Sequence, residues 1–255
     1  MSKTKVDVTG TGDDGRMSLM DHLTELRKRI VICVGAVALF GILGFVLYPH
    51  ILSALSDPYR LATAHHIKAC RPHGCALITT DVLQPFVVRL KVASYFGILA
   101  SSPVLLWQVW RFVTPGLNER EKRYALPFVA SSTVLFALGA VVAWITLPKA
   151  LDFLIGIGGN LDVKSTASSY ITLVGLMFLA FGISFEFPVL LVALLLVRVL
   201  KTSTLRKYRR HSIVGIVAFA AVITPSQDPY SLFLMAVPMY VFYEASILIG
   251  RFLKR

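Results

Sequence analysis

The sequence predicts an all-α integral membrane protein, a bundle of six transmembrane helices with both termini in the cytoplasm. Three observations predict it. Of 255 residues, 56% are hydrophobic and only 16% charged, with a mean hydropathy of +0.70, which is too little polar surface for a water-soluble domain of this length. Apolar runs stand at residues 30–48, 95–113, 126–147, 170–197 and 232–250, with a shorter sixth at 212–224; crossing a hydrocarbon core takes about 20 helical residues. Lys and Arg number 26 against 14 acids, and the excess lies before the first run, after the second, after the fourth and at the end. By the positive-inside rule the span count is even and both ends face the cytoplasm. That distribution, rather than a nucleic-acid partner, accounts for the net charge of +12.

Residues 1–17 are polar and Gly-rich and read as a disordered tail, leaving 18–255 as one membrane domain. In SLMDHLTELRKRI, Ser18 and Asp21 form a capping box, Leu19, Leu23, Leu26 and Ile30 share one helical stripe, and His22, Glu25 and Arg29 share another. The pattern predicts an amphipathic helix lying along the cytoplasmic face ahead of span one. Glu25 and Arg29 are four apart and suited to pairing with each other, an interaction of a few tenths of a kcal/mol on a helix surface. The first run is too long for a signal peptide, so no cleavage is expected. The loop at 49–85 carries HHIKACRPHGC, facing an oxidising compartment. Three readings stay open there. Cys70 and Cys75 form a disulfide, contributing roughly 2 kcal/mol in the chain-entropy model; or they join His65, His66 and His73 at a metal, although no zinc pattern matches; or they do neither. Cys33, inside span one, is a small apolar filler.

Span two runs into LLWQVWRFVTPGLNEREKRYALP, where Trp107 and Trp110 suit the headgroup boundary and Pro115 with Gly116 ends the helix. Glu119 and Glu121 then stand among Arg120, Lys122 and Arg123. They either pair internally or offer carboxylates to an arginine-bearing ligand. Span four, FGISFEFPVLL, carries Glu186 deep in its apolar run. An acid at mid-bilayer costs about 2.5–3.5 kcal/mol on insertion scales and marks a functional polar site by default. Pro188 predicts a kink beside it. Span five is too short for a full crossing and is either re-entrant or set in a locally thinned bilayer; ITPSQDPYS, with Pro225 and Asp228, joins it to span six. Enzyme motifs fail. GIGGNLDVKST has Val163 where a P-loop needs Gly before its lysine, there is no HExxH, and GIS at 182–184 lacks the second Gly of a nucleophile elbow. No cofactor or catalytic residue is expected. The residues alone leave two classes, a proton-coupled small-solute transporter using Glu186 as a relay, and a receptor or channel subunit for a larger ligand.

Taken together and in order, HLTELRKR, TDVLQPF, SPVLLWQVWRFVTPGL, EREKRYALPF, LPKALDFL, AFGISFEFPVLL, ITPSQDPYS and AVPMY resemble the TatC family, the multispanning receptor subunit of the twin-arginine protein translocase. The resemblance implies a cup-shaped bundle with short helices five and six in the cytoplasmic (inner) membrane that self-associates in a multi-subunit complex. It also implies binding of twin-arginine signal peptides and export of folded proteins with TatA-type and TatB-type single-span partners, driven by the protonmotive force. The family's signal-peptide site falls here on Glu25 and Glu121, with Arg27, Lys28, Phe112 and Leu117 on the same surface. Glu186 becomes an intramembrane polar contact for a partner helix, and Asp228 with Pro225 an external partner rim. Leu232 stands where the family commonly has glutamine, the TPSQDP loop is one residue longer than the shorter TPPD type, and the Cys70 and Cys75 pair lies outside the general motif.

Overall fold

A computed structural model describes residues 19–66, 75–113, 125–157, 165–196 and 199–252. The tail at 1–17, Cys70, His73, Leu117, Glu119 and Glu121 lie outside the described residues. The described chain is helical: α1 (Leu19–Val46), α2 (Tyr48–His66), α3 (Gln84–Ala100), α4 (Ser102–Val113), α5 (Ala125–Ile157), α6 (Ala167–Phe185), α7 (Phe187–Leu196), α8 (Thr202–Lys207), α9 (Arg209–Ile223) and α10 (Pro229–Phe252). Among the described residues there is no named strand, and one parallel bridge joins Ile78 to Thr166.

Four stretches are long and apolar enough to cross a membrane: Leu23–Val46, Leu126–Ile157, Ala167–Leu196 and Pro229–Arg251. A fifth follows if α3 and α4, bent by 51° at Ser101, count as one broken span. The protein is therefore a multi-pass membrane protein. Helix α9, with 15 residues, reaches only about 22 Å at 1.5 Å per residue, short of a hydrocarbon core of roughly 30 Å. Helices five and six were both expected to be short; α9 is, whereas α10, over the apolar run at 232–250, has 24 residues and is long enough to cross.

Both breaks within spans have one cause. Pro103 follows the bend at Ser101 and Pro188 follows the interruption at Glu186, and a proline lacks the N–H that would bond the carbonyl four residues back. At the second break the Glu186 N–H turns to Ile183 O and Ser184 O. The carbonyl that Pro188 strands is thus taken up locally.

Two sequence expectations need correction. The amphipathic segment ahead of span one is not a separate surface helix, because α1 runs unbroken from Leu19 to Val46. Leu23 and Ile30 are exposed at 58% and 52%, while Glu25 and Arg29 are partly buried. Where the surroundings are lipid, apolar side chains can face outward and polar ones seek protein partners. Span two begins earlier than the apolar run, at Gln84 rather than near residue 95. The run was masked by Arg89 and Lys91. Arg89 donates to Phe45 O at 3.1 Å and lies 4.1 Å over the Phe45 ring, and Lys91 donates to Ser168 Oγ and Thr172 Oγ1 at 2.7 and 2.8 Å. Both cations are satisfied by neighbouring helices and fit inside a membrane helix.

The bundle closes through α1 on α3, α5 on α6, and α10 on α7 and α9. Phe181, Phe185, Met235, Met239, Tyr243 and Ile247 are among its fully buried side chains. Glycines set the closest approaches. A Cβ at Gly97 would stand 2.8 Å from Val37 O on α1, and one at Gly139 would stand 2.7 Å from Phe181 O on α6. In both places the obstacle is backbone, which cannot rotate away. Gly139→Val is expected to destabilise the protein by about 1–3 kcal/mol through overpacking, read as a lower unfolding midpoint in detergent; Gly215→Val, where nothing lies within 4 Å, is expected to leave that midpoint close to wild type.

Candidate ligand-binding site and intramembrane carboxylate

Glu25 sits one helical turn before Arg29 near the start of α1, and helix geometry brings such pairs together. Arg29 Nη2 donates to Glu25 Oε1. Arg29 Nη1 also donates to Gln108 Oε1 of α4, at 3.3 Å. The three residues thus tie the first helix to the end of span two, and Gln108 is itself buried. The pair is incomplete: Glu25 Oε2 and Arg29 Nε are buried and have no hydrogen-bond partner among the described residues. Arg27 and Lys28 point away from this seam and are exposed, whereas Phe112 on α4 is partly buried. Helix α4 ends at Val113, and the acidic segment bearing Leu117 and Glu121 follows outside the described residues. The structure therefore brings Glu25, Arg29, Gln108 and Phe112 to the α1–α4 end of the molecule. Gln108 was not predicted from sequence, since a single glutamine in an apolar run carries no periodicity to single it out.

The second polar site lies between α4, α5 and the α6–α7 break. The Trp110 indole N–H donates to Ser132 Oγ at 3.0 Å, and the Trp110 ring stacks on Phe128 with centroids 4.7 Å apart. Ser132 is fully buried and is a polar neighbour of the Glu186 side chain. Glu186 Oε1 is buried with no hydrogen-bond partner among the described residues. The Gly139 and Gly182 contact sets this up by letting α5 and α6 meet backbone to backbone. Trp110 therefore does more than mark the headgroup boundary, and Ser132 is a site residue that the sequence reading missed.

Asp228 is 1% exposed and sits at the start of α10. Its Oδ1 accepts from the Ser231 N–H at 2.7 Å, and its Oδ2 accepts from the Ser226 hydroxyl. Gln227 just before it has φ +47°, a left-handed conformation uncommon for a residue with a side chain. The carboxylate holds the turn in shape, while Gln227 is exposed and Pro225 is half-buried. On the same side, Cys75 is disulfide-bonded and its N–H donates to buried Thr63 Oγ1 at 2.9 Å, while Cys33 is a free thiol.

Comparison with known proteins agrees with this geometry. A family model described as Sec-independent protein translocase protein (TatC) matches residues 21–238. A Sec-independent protein translocase protein TatC from Frankia casuarinae is 42% identical over 248 residues, covering 95% of this chain and 68% of that protein. That of Escherichia coli K12 is 35% identical over 236 residues, covering 92% of this chain and 88% of the relative. A crystal structure of the twin-arginine translocase receptor TatC superposes with a TM-score of 0.72 at 33% identity, covering 92% of this chain and all of that one. In sequence and in fold, the chain belongs to the TatC family of Sec-independent protein translocase proteins.

Proposed function

We infer that this protein is the receptor subunit of a twin-arginine translocase, binding paired-arginine signal peptides at the α1–α4 end. The observation that carries this reading is the Glu25 carboxylate, held on one oxygen by Arg29, which also donates to Gln108, with its other oxygen buried and without a partner among the described residues. A carboxylate in that state suits a guanidinium, which is planar, always charged and able to donate two parallel hydrogen bonds. In this reading Glu121 supplies a second carboxylate, so that each arginine of the pair has its own. Arg27, Lys28, Phe112 and Leu117 complete the surface. In this reading the chain has six spans with both termini in the cytoplasm, as the loop charges suggest, and sits in the inner membrane, as the family resemblance implies.

Export requires partners, and Glu186, with its buried Oε1 unpartnered among the described residues, is where a partner helix gains most from supplying a polar group. TatA-type and TatB-type single-span proteins are the proposed occupants, contacting Glu186 within the membrane and the Pro225–Asp228 turn at the external rim. The complex is proposed to contain several copies of this chain and to draw on the protonmotive force. The alternative, a small-solute transporter with Glu186 as its relay, loses ground because the chain matches a protein translocase family over residues 21–238. We further propose that the bridge at Cys75 is made with Cys70.

Three outcomes are expected. Glu25→Gln and Glu121→Gln each weaken binding of a twin-arginine signal peptide to the detergent-solubilised protein by about one to two orders of magnitude, the loss of a hydrogen bond to a charged group of roughly 1.5–3 kcal/mol; unchanged affinity in both rejects the site. Ser132→Ala removes the acceptor of the Trp110 indole N–H, and is expected to lower stability by about 1–3 kcal/mol and to reduce export, measured by thermal unfolding and by appearance of a twin-arginine reporter outside the cytoplasm. Under non-reducing conditions, peptide mass mapping is expected to find Cys70 linked to Cys75, whereas two free thiols there contradict the pairing.

A further inference from the structure

At the end of the bundle opposite Glu25, α1 stops at Val46 and the chain turns into α2. A cavity of about 250 Å³ opens there between α2, the segment at 75–79 and the starts of α3 and α6. Its described lining includes Arg60 and the hydroxyl-bearing Tyr48, Ser56 and Thr79, and no Asp or Glu. Arg60 is exposed, and its side chain makes no hydrogen bond or ion pair among the described residues. Arg89 flanks the same cavity. It stands one helical turn after Pro85, which is part of the lining, and its guanidinium lies 5.4 Å from the centre of the Tyr48 ring. Its Nε and Nη2 share one acceptor, Phe45 O, at 3.3 and 3.1 Å. That carbonyl satisfies one side of the group and leaves its charge without a counter-ion. The acids nearest in sequence, Asp57 and Asp81, are exposed and outside the lining. Two guanidinium groups thus meet one cavity with no carboxylate in its described lining.

We propose that this cavity is a binding site for the headgroup of an anionic glycerophospholipid, with Arg60 and Arg89 holding its phosphate oxygens. A guanidinium presents a planar fork of donors that matches phosphate, hydroxyl side chains add further donors, and basic pockets beside membrane helices hold anionic headgroups. The surroundings favour a lipid over a soluble anion. Phe86 and Leu90 on α3 and Leu43 and Val46 on α1 are large, apolar and exposed next to Arg89 and Phe45, and in a membrane such a wall is covered by acyl chains. A lipid held there ties the turn from α1 to α2 and the start of α3 to the headgroup layer. That matters for α1, whose main neighbour in the bundle is α3. The proposal is independent of the receptor reading of Glu25, which lies at the other end of the same helix.

The test mixes the full-length protein in detergent with phosphatidylglycerol, with phosphatidylcholine carrying the same acyl chains, or with inorganic phosphate. Binding is read by native mass spectrometry and by the rise in unfolding midpoint. Phosphatidylglycerol is expected to bind about tenfold more tightly than phosphatidylcholine. Arg60→Gln and Arg89→Gln are each expected to weaken phosphatidylglycerol binding about tenfold, the loss of one charge-assisted hydrogen bond, while leaving phosphatidylcholine unchanged. Arg89→Lys, which keeps the charge and is the variant to use if Arg89→Gln does not fold, is expected to lose less. Arg206→Gln, at an exposed arginine on α8, is expected to bind as wild type does. Equal binding of the two lipids overturns the proposal, as does phosphatidylglycerol binding unchanged in both the Arg60 and Arg89 variants, or an equal loss in Arg206→Gln. Inorganic phosphate that raises the midpoint as much as phosphatidylglycerol does would make the ligand a soluble anion and overturn the lipid assignment.

Discussion

Hydrocarbon offers no hydrogen-bond partner, so every polar side chain carried into the bilayer has to find one on another helix. That constraint organises this molecule. Arg89 reaches back to Phe45 O, Lys91 crosses to Ser168 and Thr172, Trp110 and Ser132 join α4 to α5 beside Glu186, and Arg29 links α1 to α4 through Gln108. Apolar packing cannot by itself pick out neighbours among helices whose outer faces meet lipid, since lipid is as apolar as the helices. Polar crossings and glycine contacts can. Gly97 against Val37 and Gly139 against Phe181 bring the backbones close enough for the crossings to be made.

The two carboxylates most open to functional interpretation share a feature: each has one buried oxygen without a hydrogen-bond partner among the described residues. Glu25 is held on its other oxygen by Arg29 near the start of α1, and Glu186 lies at the α6–α7 break. A buried polar group without a partner is costly, and an oxygen kept in that condition is where a ligand or partner gains most on binding. Trp110 stands two residues after Gln108, so the two sites border the same short helix, α4. The receptor end and the intramembrane carboxylate are therefore mechanically adjacent rather than separate features.

Much of this was legible in the sequence, for identifiable reasons. Long apolar runs and alternating basic loops report spans because the bilayer imposes both, and Pro188 reports a break because it lacks an N–H. The position of Glu186 followed from its cost. What failed was company and extent. The two stripes of α1 were legible, but not that Arg29 on the polar stripe reaches Gln108 of α4. The start of span two was placed too late because Arg89 and Lys91 interrupt hydropathy, and only the positions of Phe45, Ser168 and Thr172 show how they are satisfied. Gln108 and Ser132 are small signals in apolar surroundings, visible only once their partners are known.

The central claim is that a guanidinium of the signal peptide pairs with Glu25, and a double-mutant cycle tests it most directly. Binding would be measured for wild-type and Glu25→Gln protein, each against twin-arginine peptide and against peptides with either arginine replaced by glutamine. Direct pairing predicts that one of the two arginine replacements costs far less in Glu25→Gln than in wild type, a coupling of about 1 kcal/mol or more. Additive losses for both arginines would contradict the pairing and place the recognition of the signal elsewhere on the protein.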